Sequence, residues 1–232
     1  MVRASLEAAG FNTCGVLSIE AWDDRVPAAW RSDRMLDGAC SVRVLGCGGR
    51  GFGDAFLASP EARRDRDPID SFTRRVVEEA VRELEAGGIR ARAGFYWERR
   101  EGEFADFVGL GHACGLGVPS RLGVLIHPTY GPWISLRAVI LSSEEFETRP
   151  PLDGFAPCSG CPAPCETACP GAAVAEAGFD VAACVSTTRS HSPCRSRCAA
   201  RHACVVGSEH AAAPDLEQRY RAAVIDFTTD RD

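Results

Sequence analysis

Apolar and polar positions follow helix and strand periods through the first 140 or so residues, then give way to a cysteine-rich stretch and a last helical pattern. The clearest element is a helix over 68–86. Ile69, Phe72, Val76, Val77, Ala80, Val81 and Leu84 form its apolar stripe, with Arg74, Arg75, Glu78, Glu79, Arg82 and Glu85 facing water. Asp67 is placed to cap it, Pro68 suits its first position, and Gly87-Gly88 closes it. Upstream, 2–9 reads as a helix stopped by Gly10 and 14–19 as a strand. A helix over 21–31 carries Trp22, Val26 and Trp30 at four-residue steps, as core. A strand over 41–47 runs through a glycine loop into a helix over 52–58. Downstream come a strand over 89–97, a helix over 103–114, and strands over 121–126 and 133–141. A linker over 143–157 follows. The last helix, 214–227, has Leu216, Tyr220, Val224 and Phe227 spaced to dock, and 228–232 should fray. The expected organisation is a domain over 1–150, a cysteine module over 151–210, and a terminal helix and tail over 211–232.

Cysteine usage changes the picture. Eight of twelve cysteines lie in Cys158-Ser-Gly-Cys161-Pro-Ala-Pro-Cys165-Glu-Thr-Ala-Cys169-Pro170 and at Cys184, Cys194, Cys198 and Cys204. In two-cluster ferredoxins three closely spaced cysteines hold one cluster while the fourth, before a proline, ligates the other. On that logic Cys158, Cys161, Cys165 and Cys204 hold one [4Fe–4S] cluster, and Cys169, Cys184, Cys194 and Cys198 hold a second. The spacing departs from the ferredoxin run at two places: three residues separate Cys161 from Cys165, and five separate Cys198 from Cys204. A zinc site, disulfides and buried free thiols are the competing uses of the same residues. Cys14, Cys40, Cys47 and Cys114 sit in apolar or glycine-rich surroundings and read as packed thiols.

Net charge is −6, and every basic residue is arginine. An acidic chain lacks the footprint of a general nucleic-acid binder, so no nucleic-acid partner is expected. The local exception is Arg189, Arg195, Arg197 and Arg201 with His191 and His202, inside the second cysteine run. These cations either offset cluster charge or meet an acidic electron donor. No signal peptide or membrane span is apparent, which points to a cytoplasmic location. No hydrolytic triad or carboxylate pair can be assembled by spacing, and the catalytic residues stay unassigned.

Two loops carry further chemistry. Gly46-Cys47-Gly48-Gly49-Arg50-Gly51 fits the form G-x-G-x-x-G, but no second strand with an acid follows about 20 residues later. A tight turn, or a loop lying against another ligand, is the better reading. His127-Pro128-Thr129-Tyr130-Gly131-Pro132-Trp133 gathers an imidazole and two flat rings between stiffening prolines. It suits a planar macrocycle or flavin as well as it suits a plain hairpin whose aromatics cap the core.

The run from Gly115 through His127, Tyr130, Trp133 and Arg137 to Ile140, followed by the paired cysteine runs, resembles epoxyqueuosine reductase and the catalytic part of corrinoid reductive dehalogenases. The segment 125–141 is also similar to the cobalamin C-type B12-processing protein, as is the stretch from Arg43 to Phe56 leading into Asp67-Pro68-Ile69-Asp70. The resemblance implies an α+β fold: a nitroreductase-like, cobalamin-processing type α/β sandwich followed by a two-cluster bacterial ferredoxin-like module. It implies an oxidoreductase in which His127, Tyr130, Gly131, Trp133 and Arg137 line a cobalamin pocket. Electrons would arrive from an external donor such as a flavodoxin or ferredoxin. The tRNA-contacting repeats of epoxyqueuosine reductases and the twin-arginine leader of many dehalogenases have no counterpart here. Neither tRNA chemistry nor a membrane-associated role is therefore expected. Three other readings share these residues: a ferredoxin-type electron carrier without a corrinoid, a reductase using FMN on the same fold, and a zinc-stabilised binding module.

Overall fold

A computed structural model describes residues 2–229, with side chains described over 4–221. In chain order the elements are α1 (Val2–Ala8), β1 (Thr13–Ser18), α2 (Ile19–Asp23), α3 (Ser32–Met35), β2 (Ser41–Gly48), α4 (Gly51–Leu57), α5 (Pro68–Ala86), β3 (Ala91–Phe95) and α6 (Phe107–Ala113). The chain continues through β4 (Val118–Pro119), β5 (Leu125–Ile126), β6 (Ile134–Ser142), α7 (Pro164–Ala168), β7 (Val174–Ala175), β8 (Gly178–Phe179), α8 (Val181–Ser190), α9 (Ala199–His202) and α10 (Pro214–Thr229). It is a mixed helix-and-sheet protein that divides into two compact units. The first takes the residues up to Gly117 plus Ile134–Asp153; the second takes Val118–Trp133 plus the chain from Gly154 onward.

The first unit is built on an antiparallel sheet of order β1-β2-β6-β3. Ala138, Val139, Ile140 and Leu141 on β6 are all fully buried. Successive side chains of a strand point to opposite faces, so both faces of the sheet are covered. α5 packs on β3 and β6 through its apolar stripe, with Val81 at its half-buried margin. Phe11, Phe52, Phe72 and Phe56 join edge to face beside it, with centroids 5.4–5.8 Å apart.

Several elements differ from the sequence reading for local reasons. The helix over 21–31 is two pieces, α2 and a 3-10 turn Ala28–Trp30, because Pro27 offers no N–H and holds the chain extended. Trp22 and Trp30 are nonetheless core, joined by an indole N–H donating to the Trp30 carbonyl at 2.9 Å. Asp67 takes φ +45 and its side chain makes no cap bond; Pro68 alone marks the helix start. α6 begins only at Phe107, where the Asp106 carboxylate accepts the Gly109 N–H. The strand over 121–126 shrinks to Leu125–Ile126 because a turn closes from Gly123 N to Ser120 O. Cys47 and Cys114 are packed thiols, whereas Cys14 and Cys40 are exposed, contrary to the sequence expectation.

The second unit places 118–133 with the cysteines, not with the N-terminal domain as the linear reading had it. Leu122 and Ile126 find their apolar partners in Val174 and Ala200, and Cys165, Cys169, Cys198 and Cys204 pack around them. α10 joins the same unit through α8 and the turn around Cys194, with Leu216 buried. The side chains of Val224 and Phe227, and the end of the 228–232 tail, lie outside the described residues.

Candidate metal centre

Short elements deliver the eight cysteines. Cys158 and Cys161 flank a turn ending at Gly160, which takes φ +71. Cys165 sits in the first turn of α7, directly after Pro164, and Cys169 ends that helix in an extended conformation. Cys184 lies within α8, Cys194 in the 3-10 turn Ser192–Arg195, Cys198 at the start of α9, and Cys204 just past its end. α7 and α9 pack on one another, so the two runs are threaded together.

The thiols sense one another in two groups. Burial pushes the Cys165 thiol up, and the neighbouring thiols of Cys204, Cys158 and Cys161 push it the same way. Cys204 is likewise raised by burial and then by Cys158 and Cys161. Cys194 is raised by burial and by Cys198, Cys169 and Cys184, against the lowering charge of Arg221. A small cavity is bounded by Cys158, Cys161, Cys165 and Cys204 with Ile126 and Val206. Raised thiols must shed protons to become ligands, so metal uptake here is coupled to proton release. Among the described residues no three His, Cys, Asp or Glu side chains converge to single-ion spacing.

The surrounding polar groups gave little sequence signal. Glu217 on α10 is buried; one carboxylate oxygen accepts the Cys198 N–H at 2.9 Å and the other pairs with His202 Nε2 at 2.7 Å. Arg221 donates Nε–H to the Cys194 carbonyl at 2.8 Å and Nη2–H to Thr188 Oγ1 at 2.7 Å. Arg121 pairs with Glu166 beside Cys158.

The His127–Trp133 loop folds onto the cysteine module. His127 and Gly131 exchange backbone hydrogen bonds of 2.9 Å, and His127 Nδ1 accepts the N–H groups of Thr129 and Tyr130. That fixes the proton of the neutral ring on Nε2. Burial and nearby His210 hold the imidazole below its ordinary pKa. The Tyr130 ring lies between His127 and His210, with centroids 4.9 and 5.0 Å away. Trp133 is buried with its ring 4.8 Å from His202, and the Arg201 guanidinium lies 4.6 Å over it. Arg137 belongs to the first unit, where it is buried near Phe52 and Tyr96; Tyr96 donates its hydroxyl hydrogen to Asp70 at 3.0 Å. Burial pushes the Asp70 carboxyl up, opposed by Arg137. Thus His127, Tyr130, Gly131 and Trp133 come together in one unit, and Arg137 stands in the other.

The glycine stretch serves close packing. Asn12 brackets Gly48 with bonds of 2.9 and 2.8 Å, and a Cβ on Gly10 would stand 2.2 Å from the Phe52 nitrogen. This is the tight-turn reading of the G-x-G-x-x-G form.

No family model and no curated protein matches the sequence. Solved structures do. An epoxyqueuosine reductase solved with a tRNA-Tyr epoxyqueuosine-modified stem loop aligns with 94% of this chain and 67% of its own, at 13% identity and TM-score 0.61. The fold is that of epoxyqueuosine reductase. The Streptococcus thermophilus enzyme aligns over 80% of this chain at 10% identity and TM-score 0.52, and the chain spans 57% of its length. A reductive dehalogenase described as B12-dependent aligns over 99% of this chain and 35% of its own, at 14% identity and TM-score 0.57. At such identities the likeness is one of fold, and it supports the resemblance read in the sequence. The tRNA complex of the first neighbour conflicts with the expectation, drawn from net charge, that nucleic acid plays no part. Among the described residues, no helix is long and apolar enough to cross a membrane.

Proposed function

We propose that this chain is a reductase with a nitroreductase-like sheet unit, whose two cysteine tetrads hold [4Fe–4S] clusters in a ferredoxin-like module and feed a bound corrinoid. The observation that carries the reading is the grouping of the thiols: Cys158, Cys161, Cys165 and Cys204 line one small cavity, while Cys169, Cys184 and Cys198 are the thiols near Cys194. The donor set fits the group: each set is all-thiol and offers four ligands. Interleaving brings two such centres into one small fold, and close centres pass electrons.

The corrinoid residues fit unevenly. Gly131 and Trp133 are enclosed within their own unit, so they shape the loop and offer no open face. His127 and Tyr130 are half-buried and keep polar atoms for a ligand, with His127 presenting Nε2–H as a donor. A neutral imidazole held in that tautomer would offer a bound group a hydrogen-bond donor and not a lone pair. Bound cobalamin supplies the strongly reducing, nucleophilic chemistry; the chain orients it and brings electrons.

Protein prepared without oxygen should carry iron and sulfide and should shift the absorption spectrum of added hydroxocobalamin. Intact clusters with an unshifted corrinoid spectrum would remove cobalamin from the account and leave an electron carrier.

A further inference from the structure

Glu217 and Arg221 stand four residues apart on α10, and so on one side of that helix. The Glu217 carboxylate accepts the Cys198 N–H at 2.9 Å. Arg221 donates Nε–H to the Cys194 carbonyl at 2.8 Å and Nη2–H to Thr188 Oγ1 at 2.7 Å. Thr188 is buried, and its hydroxyl hydrogen goes on to the Cys184 carbonyl at 2.8 Å. Two side chains one turn apart thus reach three of the four cysteines in the second tetrad.

Satisfying a carbonyl and a hydroxyl does not require a charge; an amide side chain would do as much. Arg221 is half-buried and these two acceptors are neutral, so its guanidinium gives up hydration without meeting an opposite charge in them. A centre of four thiolates around an iron–sulfur cubane is net negative, and more so once reduced, which would offset that loss. The first tetrad is provided for differently. Arg121 shares a cavity wall with Cys158, but it pairs with Glu166 and faces Glu176 at 3.9 Å, so carboxylates meet its charge. The charge of Glu217, in turn, is shared with His202 Nε2 at 2.7 Å.

We propose that Arg221 is a positioning residue for the centre held by Cys169, Cys184, Cys194 and Cys198: it fixes the segments of Cys194 and Cys184, and its charge raises the reduction potential of that centre while leaving the other's unchanged. The inference rests on the iron–sulfur half of the function proposed above and is independent of the corrinoid. A cation beside the tetrad stabilises the form carrying one more electron, so removing the cation makes the centre harder to reduce. The two centres are thereby made unequal by a single side chain of α10.

The test is a mediated redox titration of anaerobically prepared holoprotein, with Arg221→Gln and Arg221→Lys beside wild type. Dithionite supplies one electron to each centre, and electron paramagnetic resonance follows the two reductions. Gln is neutral but still donates to a carbonyl; Lys keeps the charge and loses the planar fork. In Arg221→Gln one centre should become about tenfold harder to reduce, about 59 mV lower for a one-electron couple, while the other stays in place. Arg221→Lys should recover most of that shift. The shift should persist in C165S/R221Q relative to C165S, where the second tetrad holds the remaining centre. Unmoved potentials in Arg221→Gln, or both centres moving equally, would overturn the proposal. So would a wild-type potential in Arg221→Gln with a lowered one in Arg221→Lys, which would assign the effect to hydrogen bonding. If Arg221→Gln loses the iron of one centre, a lowered potential in iron-replete Arg221→Lys still overturns the proposal and a wild-type one supports it. Iron-free wild-type protein would instead overturn the iron–sulfur reading, which iron analysis reports before any potential is measured.

Discussion

Gly131 and Val206 meet backbone to backbone: a Cβ on Gly131 would stand 2.0 Å from the Val206 carbonyl oxygen. The same glycine takes φ +55, in the left-handed region. The loop that resembles a corrinoid-binding segment is thereby seated on the chain just past Cys204.

Gly131→Ala should therefore lower stability by about 1–3 kcal/mol, since backbone cannot yield as a flexible side chain would. Urea unfolding of the holoprotein checks it. The substitution should also loosen the site of Cys204 and make iron easier to remove by a chelator. A variant as stable and as chelator-resistant as wild type would mean the loop is free of the cysteine module.

Glu61 and Arg75 give the first unit a pH dependence of known sign. Glu61 is buried, its carboxylate accepts from Arg75 Nε at 2.7 Å, and that bond holds its pKa down at about 2. An acid with a lowered folded pKa adds stability above its unfolded value, and that stability is lost as pH falls from about 4.5 toward 2. Arg75 is 44% exposed, so screening trims the effect to about 2 kcal/mol. In Arg75→Ala the buried carboxylate loses its partner, and acid unfolding should lose most of its slope in that window.

Much of the first unit was legible in the sequence because its periods are regular. The stripe of α5 and the four-residue steps of Trp22 and Trp30 named core residues, even where Pro27 broke the helix that carried them. Asp67 misled because a capping residue type does not guarantee a capping conformation. The cysteines announced a centre, but nothing near them announced Glu217, Arg221 or the inward turn of Arg201. Those roles depend on packing between segments far apart in sequence. The membership of 118–133 was hidden for the same reason: Leu122 and Ile126 read as strand residues, and only the folded chain shows that their apolar partners lie among the cysteines.

The two tetrads also make a prediction about non-additivity. If Cys165 and Cys204 serve one centre, C165S/C204S should lose about half the iron, no more than either single change. C165S/C169S, only four positions apart, should lose nearly all of it. The opposite ranking, with neighbours in sequence behaving as one unit, would assign each run its own centre.

Iron and acid-labile sulfide counted per chain in anaerobically purified protein test the central claim most directly. The account expects about eight of each, with the eight cysteines from Cys158 to Cys204 protected from a thiol reagent. Protein that is free of iron, with those eight thiols open to the reagent, would contradict it.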